Sequence, residues 1–185
     1  MSEANLPYLK RLYIYQKERF PVLINVIAVA VFTFSAISYS RIYRGVDGFV
    51  SWDTYLIGCF ATFTLFFLVR VFDEFKDRED DAKYRKYLPV PRGLIKLSEL
   101  RNLGIIIGVL QISVIAIFQL PMLWLYVIVI GYLCLMGVEF FVPEFLKKRQ
   151  ILYISTHMII IPLLDIYSSG LDWLLDGDKP HAGLL

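Results

Sequence analysis

The chain has 185 residues, 57% hydrophobic and 19% charged, with a formal net charge of +2 and a mean hydropathy of +0.59. Apolar residues in that proportion, gathered into long blocks, exclude an ordinary water-soluble domain and imply membrane spans. Cys59 and Cys134 both fall inside apolar blocks, without the spacing of a disulfide or a zinc site, and read as small buried side chains.

Residues 1–20 read as a lead-in helix at the cytoplasmic interface. Pro7 suits a first helical turn. Leu6, Leu9, Tyr13 and Phe20 share a face, and Lys10, Arg11, Lys17 and Arg19 are expected among lipid head groups. This charged start, followed by a long apolar block, does not have the form of a cleavable signal peptide.

Residues 21–185 read as one transmembrane helical domain, so the fold class is all-α, a polytopic membrane bundle. Five spans are expected, at 21–40, 52–72, 103–120, 122–142 and 151–167. Each is close to the ~20 residues that cross a hydrocarbon core. Pro121 marks a tight turn, Pro143 ends the fourth span, and Trp52, Trp124 and Trp173 fall near span ends, where indole rings favour the interface. Sixteen of the nineteen Lys and Arg residues then lie on one side, and only Arg41, Arg44 and Lys179 on the other. The positive-inside rule puts the N-terminus and the loop at 73–101 in the cytoplasm.

That loop opens on the stretch 70–81, directly after the second span. Asp73, Asp77 and Asp81 are spaced i, i+4, i+8, with Glu74 beside them. On one continuous helix each step turns about 40° and climbs roughly 6 Å, so the three carboxylates line one stripe. Parallel carboxylates repel unless a cation sits among them. Mg²⁺ suits the position, since it takes a few carboxylate oxygens and completes its shell with waters and substrate phosphates. The dipole at a helix C-terminus also favours cations. The other reading is a solvated loop whose acids are neutralised by Lys76, Arg78, Lys83, Arg85 and Lys86 in local pairs.

Asn25 and Glu139 lie near the cytoplasmic ends of the first and fourth spans, where both could face the mouth of a shared chamber; the favoured readings are an interhelical hydrogen bond for Asn25 and a carboxylate reaching the interface beside Lys147 or Lys148 for Glu139. His157 reads as a hydrogen-bonded packing residue, and Asp165, Asp172, Asp176 and Asp178 belong to the outer side, away from the stripe. The basic loop has no folded domain to carry nucleic acid. Anionic lipid or diphosphate is the more economical partner.

Over Asp73–Gly93 the sequence resembles the UbiA superfamily of intramembrane prenyltransferases. That family's first signature, Asn-Asp-x-x-Asp-x-x-x-Asp, is matched by Asp73-Glu74-x-x-Asp77-x-x-x-Asp81, with an Asp-Glu pair in place of Asn-Asp. The family's Arg-Pro-x-Pro-x-Gly is matched by Leu88-Pro89-Val90-Pro91-Arg92-Gly93, with leucine where arginine is expected. The order of features also matches: basic lead-in, two spans, acidic loop, then a closely joined third and fourth span. Members of the family resemble nine-span bundles with a second acidic motif between spans six and seven. The chain therefore reads as their N-terminal part, with Ala182-Gly-Leu-Leu185 the start of a further apolar run.

The resemblance implies Mg²⁺-dependent transfer of an isoprenoid chain from a prenyl diphosphate to an acceptor, often aromatic. It implies metal ligands at Asp73, Glu74, Asp77 and Asp81, and diphosphate contacts from Lys83, Arg85 and Arg92. The lipid bilayer is the expected environment. Five spans leave helix faces that expect neighbours, so self-association is also expected. A CDP-alcohol phosphotransferase is the less favoured enzyme, because the Asp-Gly and Ala-Arg of its signature are not in this loop. The alternative of another class is a non-enzymatic membrane protein, either a degenerate prenyltransferase half or a small transporter.

Overall fold

An apolar segment in lipid has no water to satisfy its backbone groups, so it closes its hydrogen bonds within itself as a helix. The computed structural model describes residues 5–179, and residues 182–185, read above as a further apolar run, lie outside them. Among the described residues there is no strand. The helices are α1 (Tyr8–Arg19), α2 (Val22–Arg44), α3 (Trp52–Lys76), α4 (Arg78–Tyr84), α5 (Leu97–Phe118), α6 (Leu123–Gly137), α7 (Pro143–Lys147), α8 (Gln150–Met158) and α9 (Ile160–Trp173).

Five helical stretches are long and apolar enough to cross a membrane: Val22–Arg44, Trp52–Lys76, Leu97–Phe118, Leu120–Gly137 and Gln150–Trp173. The last joins α8 and α9 across Ile159. Pro162 lies just beyond, and it has no N–H to return to the Met158 carbonyl, which accounts for the interruption. The first, second and fifth spans run further than apolar composition suggests, because charged residues at their ends find partners in the protein. The fourth stops short, at a left-handed turn described below.

Helix α3 is the axis of the bundle and packs on α2, α5, α6 and α9. The main core gathers Leu65, Ile115, Met122, Leu133, Leu164 and Leu171, all essentially sealed from the outside. Close approach between helices depends on small residues there. A Cβ on Gly58 would fall 2.2 Å from a Leu171 methyl, and one on Gly170 would fall 2.6 Å from a Leu125 methyl. Several polar groups within the spans bond internally: Gln111 donates to the Ala61 carbonyl at 2.7 Å, and the Thr62 and Ser168 hydroxyls lie 3.2 Å apart. Leu23, Ile27, Val31, Ile106, Val109 and Val127 stay exposed on outward faces, as lipid-facing side chains do. Trp52 and Trp124 are exposed, but Trp173 is buried. Both cysteines are free, and neither is fully buried as expected: Cys59 is half-buried and Cys134 exposed.

A second core cluster docks α1 against α3 and α5 through Tyr15, Phe20, Phe67, Val71, Ile95 and Leu100. The Phe20 ring sits 5.3 Å from those of Phe63 and Phe67. Around this contact lie three ion pairs. Arg11 makes a bidentate bridge to Glu99 at 2.6 and 2.8 Å, Arg19 reaches Glu74 at 2.7 Å, and Arg92 holds both oxygens of Glu18 at 2.8 Å. Two of the four cations expected among lipid head groups, Arg11 and Arg19, are thus turned inward. Lys10 and Lys17 remain exposed.

The opposite end of the bundle has its own clamp. Asp172 on α9 is fully buried. It accepts from Ser40 at 2.7 Å and pairs with Arg41 at 2.9 Å and Arg44 at 2.8 Å, all from the end of α2. Arg44 also meets Asp176 and Asp178. Arg41 and Arg44 are therefore structural partners of Asp172, Asp176 and Asp178.

Candidate active site at the charged end of the bundle

The end of α3 carries Asp73 and Glu74, and Asp77 caps it. The backbone bends at Asp77, with φ −85° and ψ 5°, before α4 begins. The hydrogen bonds Asp77 N–H to Asp73 O (2.9 Å) and Asp81 N–H to Asp77 O (2.8 Å) nevertheless carry the helical spacing across the break. The expected stripe is thus a stripe with a bend in it.

The bend sorts the four acids. Asp77 and Asp81 line a cavity of about 820 Å³ at the junction of α3, α4, α7 and α8. Lys76, Arg85, Glu139 and Lys147 line the same cavity, and Tyr153 of α8 forms part of its wall. Glu74 turns the other way. It is almost completely buried, accepts from Arg19 at 2.7 Å and Arg70 at 2.9 Å, and lines a smaller cavity of about 400 Å³ on the far side of α4. Asp81 borders both cavities. Asp73 is flanked by Arg70 at 3.7 Å and Lys76 at 3.8 Å. Burial, with the charge of Glu74 nearby, pushes the Tyr15 hydroxyl of α1 up from its ordinary value, so it stays protonated.

Of the expected diphosphate contacts, Arg85 lines the large cavity and pairs with Asp81 at 3.3 Å. Lys83 points out over the Tyr84 ring at 4.8 Å. Arg92 is engaged by Glu18, whose carboxyl this hydrogen bond holds below its ordinary range. Of the two chamber residues, Glu139 lines the cavity. Asn25 instead returns its amide to the Pro21 carbonyl at 2.9 Å, one turn back on its own helix. His157 sits with Nδ1 2.8 Å from the Tyr153 carbonyl and its ring stacked on that of Tyr153 at 4.1 Å.

Glu139 owes its position to an unusual turn. Glu139, Phe140 and Phe141 all have positive φ, at 48°, 54° and 61°. L-residues rarely string together in this region, because Cβ crowds the following carbonyl. The turn ends the fourth span early and swings the chain into α7, where Pro143 provides a preset first residue. Lys76, Lys147 and Tyr153 are cavity residues that the sequence reading does not mark as part of a site. A basic residue a few positions after a span-ending proline was the available signal for Lys147.

Among the described residues no three His, Cys, Asp or Glu side chains converge to hold a metal ion. A cage of that kind is not what Mg²⁺ needs. It is commonly held by one or two carboxylates together with substrate phosphates. Two carboxylates lining one cavity together with amine and guanidinium groups fit such an arrangement. Glu74, committed to two guanidiniums, does not present itself to it.

No curated protein and no solved structure matches the chain. The model of the UbiA prenyltransferase family matches residues 29–164, well over half of the chain and including both the acidic stretch and the proline-rich turn. An all-helical chain with five membrane-length helices agrees with the helical membrane bundle of that family. The chain belongs to the UbiA prenyltransferase family and is an integral membrane protein.

Proposed function

We propose that the chain takes part in transferring an isoprenoid group from a prenyl diphosphate to an acceptor, with the diphosphate bound in the large cavity and the bundle end carrying it facing the cytoplasm. One observation carries this reading: Asp77 and Asp81 share that cavity with Lys76, Arg85 and Lys147, so cation-binding and anion-binding groups meet at the end of an apolar bundle.

Asp77 and Asp81, with Asp73 alongside, would hold Mg²⁺. When bound, that ion supplies Lewis-acid stabilisation of the charge that grows on the leaving diphosphate. Arg85 and Lys147 orient the anion by charge-assisted hydrogen bonds. Lys83 and Arg92 join it only by leaving their present contacts. Glu74 acts at one remove, fixing the end of α3 through Arg19 and Arg70. In the reaction the bond between the allylic carbon and diphosphate oxygen breaks, and its electrons leave with the diphosphate. The acceptor forms the new bond to that carbon and gives up a proton.

A non-enzymatic role is the second reading. It draws on the pairing of Asp73, Glu74 and Asp81 with resident cations, the pattern expected of a neutralised structural segment. Pyrophosphate release separates the two. The chain in lipid vesicles, given a prenyl diphosphate, Mg²⁺ and an aromatic acceptor, releases pyrophosphate under the first reading and loses this activity in Asp81→Asn. No release with any acceptor class favours the second.

A further inference from the structure

We infer that Lys76 is a resident counter-ion that competes with the divalent cation for Asp73 and Asp77. This rests on the reading that those carboxylates serve a metal. The Lys76 ammonium lies 3.8 Å from Asp73 and 3.7 Å from Asp77. Its side chain is only 10% exposed and is held over the Tyr153 ring at 5.4 Å. A cation there, together with Arg70 beside Asp73 and Arg85 beside Asp81, makes a stripe of like charges tolerable.

The geometry of this contact differs from that around Glu74. Both Lys76 separations exceed hydrogen-bond length, whereas the two guanidiniums hold Glu74 at 2.7 and 2.9 Å in a nearly dry site. The Lys76 pairs are therefore the ones that can open at low cost. Lys76 also lines the cavity, so once displaced its ammonium stays beside the space assigned to the diphosphate. A cation entering between Asp73 and Asp77 must push Lys76 off, and an anion in the cavity draws it away. By linkage each then favours the other. The consequence is a site that binds the divalent cation weakly by itself and loads cation and diphosphate together.

The test is Mn²⁺ binding by the full chain in detergent, followed through the electron paramagnetic resonance of free Mn²⁺. Wild type is compared with Lys76→Met, Lys76→Gln, Lys76→Arg and Asp77→Asn, each checked for an intact helical spectrum. Removing the competing charge tightens Mn²⁺ binding about tenfold or more in the Met and Gln variants. The Arg variant keeps a cation and stays near wild type. If wild type binds Mn²⁺, Asp77→Asn does not, and neither neutral variant is tighter, the inference about Lys76 is overturned while the metal reading stands. If no protein binds Mn²⁺, or Asp77→Asn binds as wild type does, the metal reading falls and this inference with it.

Discussion

Arg19 on α1 donates from Nε to Glu74 on α3 at 2.7 Å, across 55 positions of sequence. Glu74 is nearly sealed from water, and Arg70 is its second partner, one turn back along α3. This contact fastens the lead-in helix to the element that carries the acidic stretch. It also explains why Glu74 is withdrawn from the cavity that Asp77 and Asp81 line.

Breaking a buried pair by removing one partner typically costs about 3–5 kcal/mol, because a charge is left without compensation. Arg70 remains after Arg19→Ala, so the expected loss is at the lower end, about 3 kcal/mol. It is read as a lower unfolding midpoint in detergent. Glu74→Gln is expected to lower the midpoint too, while leaving Mn²⁺ affinity within a few-fold of wild type. A loss of Mn²⁺ binding as deep as that in Asp77→Asn would make Glu74 a ligand.

The far clamp behaves differently. Asp172→Asn leaves Arg41 and Arg44 without their buried carboxylate and is expected to destabilise the bundle by about 3–5 kcal/mol. It lies at the opposite end of the spans, so diphosphate affinity at the folded protein should not change. Thermal unfolding and ligand titration of the same preparation check both halves of this statement.

Lys147 tests the composition of the cavity. A charge-assisted hydrogen bond contributes about 1.5–3 kcal/mol, so Lys147→Ala should weaken prenyl diphosphate binding by roughly tenfold or more. Lys83→Ala, which removes an ammonium lying over Tyr84 outside the cavity lining, should leave it within about twofold. Titrations of the two variants under identical salt decide it.

The pair Glu18–Arg92 gives a pH dependence. The Arg92 hydrogen bond lowers the Glu18 value in the folded chain, so the unfolded chain binds the proton more readily. The contribution is fully present above the unfolded glutamate value of about 4.3 and is lost as pH falls through the lower folded value. The protection of amides in the proline-rich turn, taken relative to the intrinsic exchange rate at each pH, should therefore fall at acid pH in wild type. In Glu18→Gln that protection should already be lower at neutral pH, with a flatter dependence on pH.

Much of the fold was legible because lipid imposes a simple rule: runs of about 20 apolar residues become helices. The acidic stretch was legible from its spacing. Its division was not, since the bend at Asp77 and the pull of Arg19 on Glu74 depend on a helix far away in sequence. The same holds for Arg92, a diphosphate contact by family resemblance, which Glu18 holds from 74 positions away. Arg41 and Arg44 counted correctly as residues of one side, yet their burial against Asp172 needs α2 and α9 to be neighbours. Asn25 does satisfy its amide by a hydrogen bond, but within its own preceding turn rather than across helices, a choice its position alone does not decide. Left-handed backbone at Glu139, which brings that acid to the cavity, has no signature in residues as ordinary as Glu-Phe-Phe.

The most direct measurement is binding of a long-chain prenyl diphosphate to the purified chain in detergent, with Mg²⁺ and with chelator, beside Asp77→Asn. Asp77 is a better choice than Asp81, because its side chain is 35% exposed and its replacement disturbs little packing. The account predicts binding that requires Mg²⁺ and is lost in the variant, with the helical spectrum intact. Binding that survives both the chelator and the substitution would contradict it.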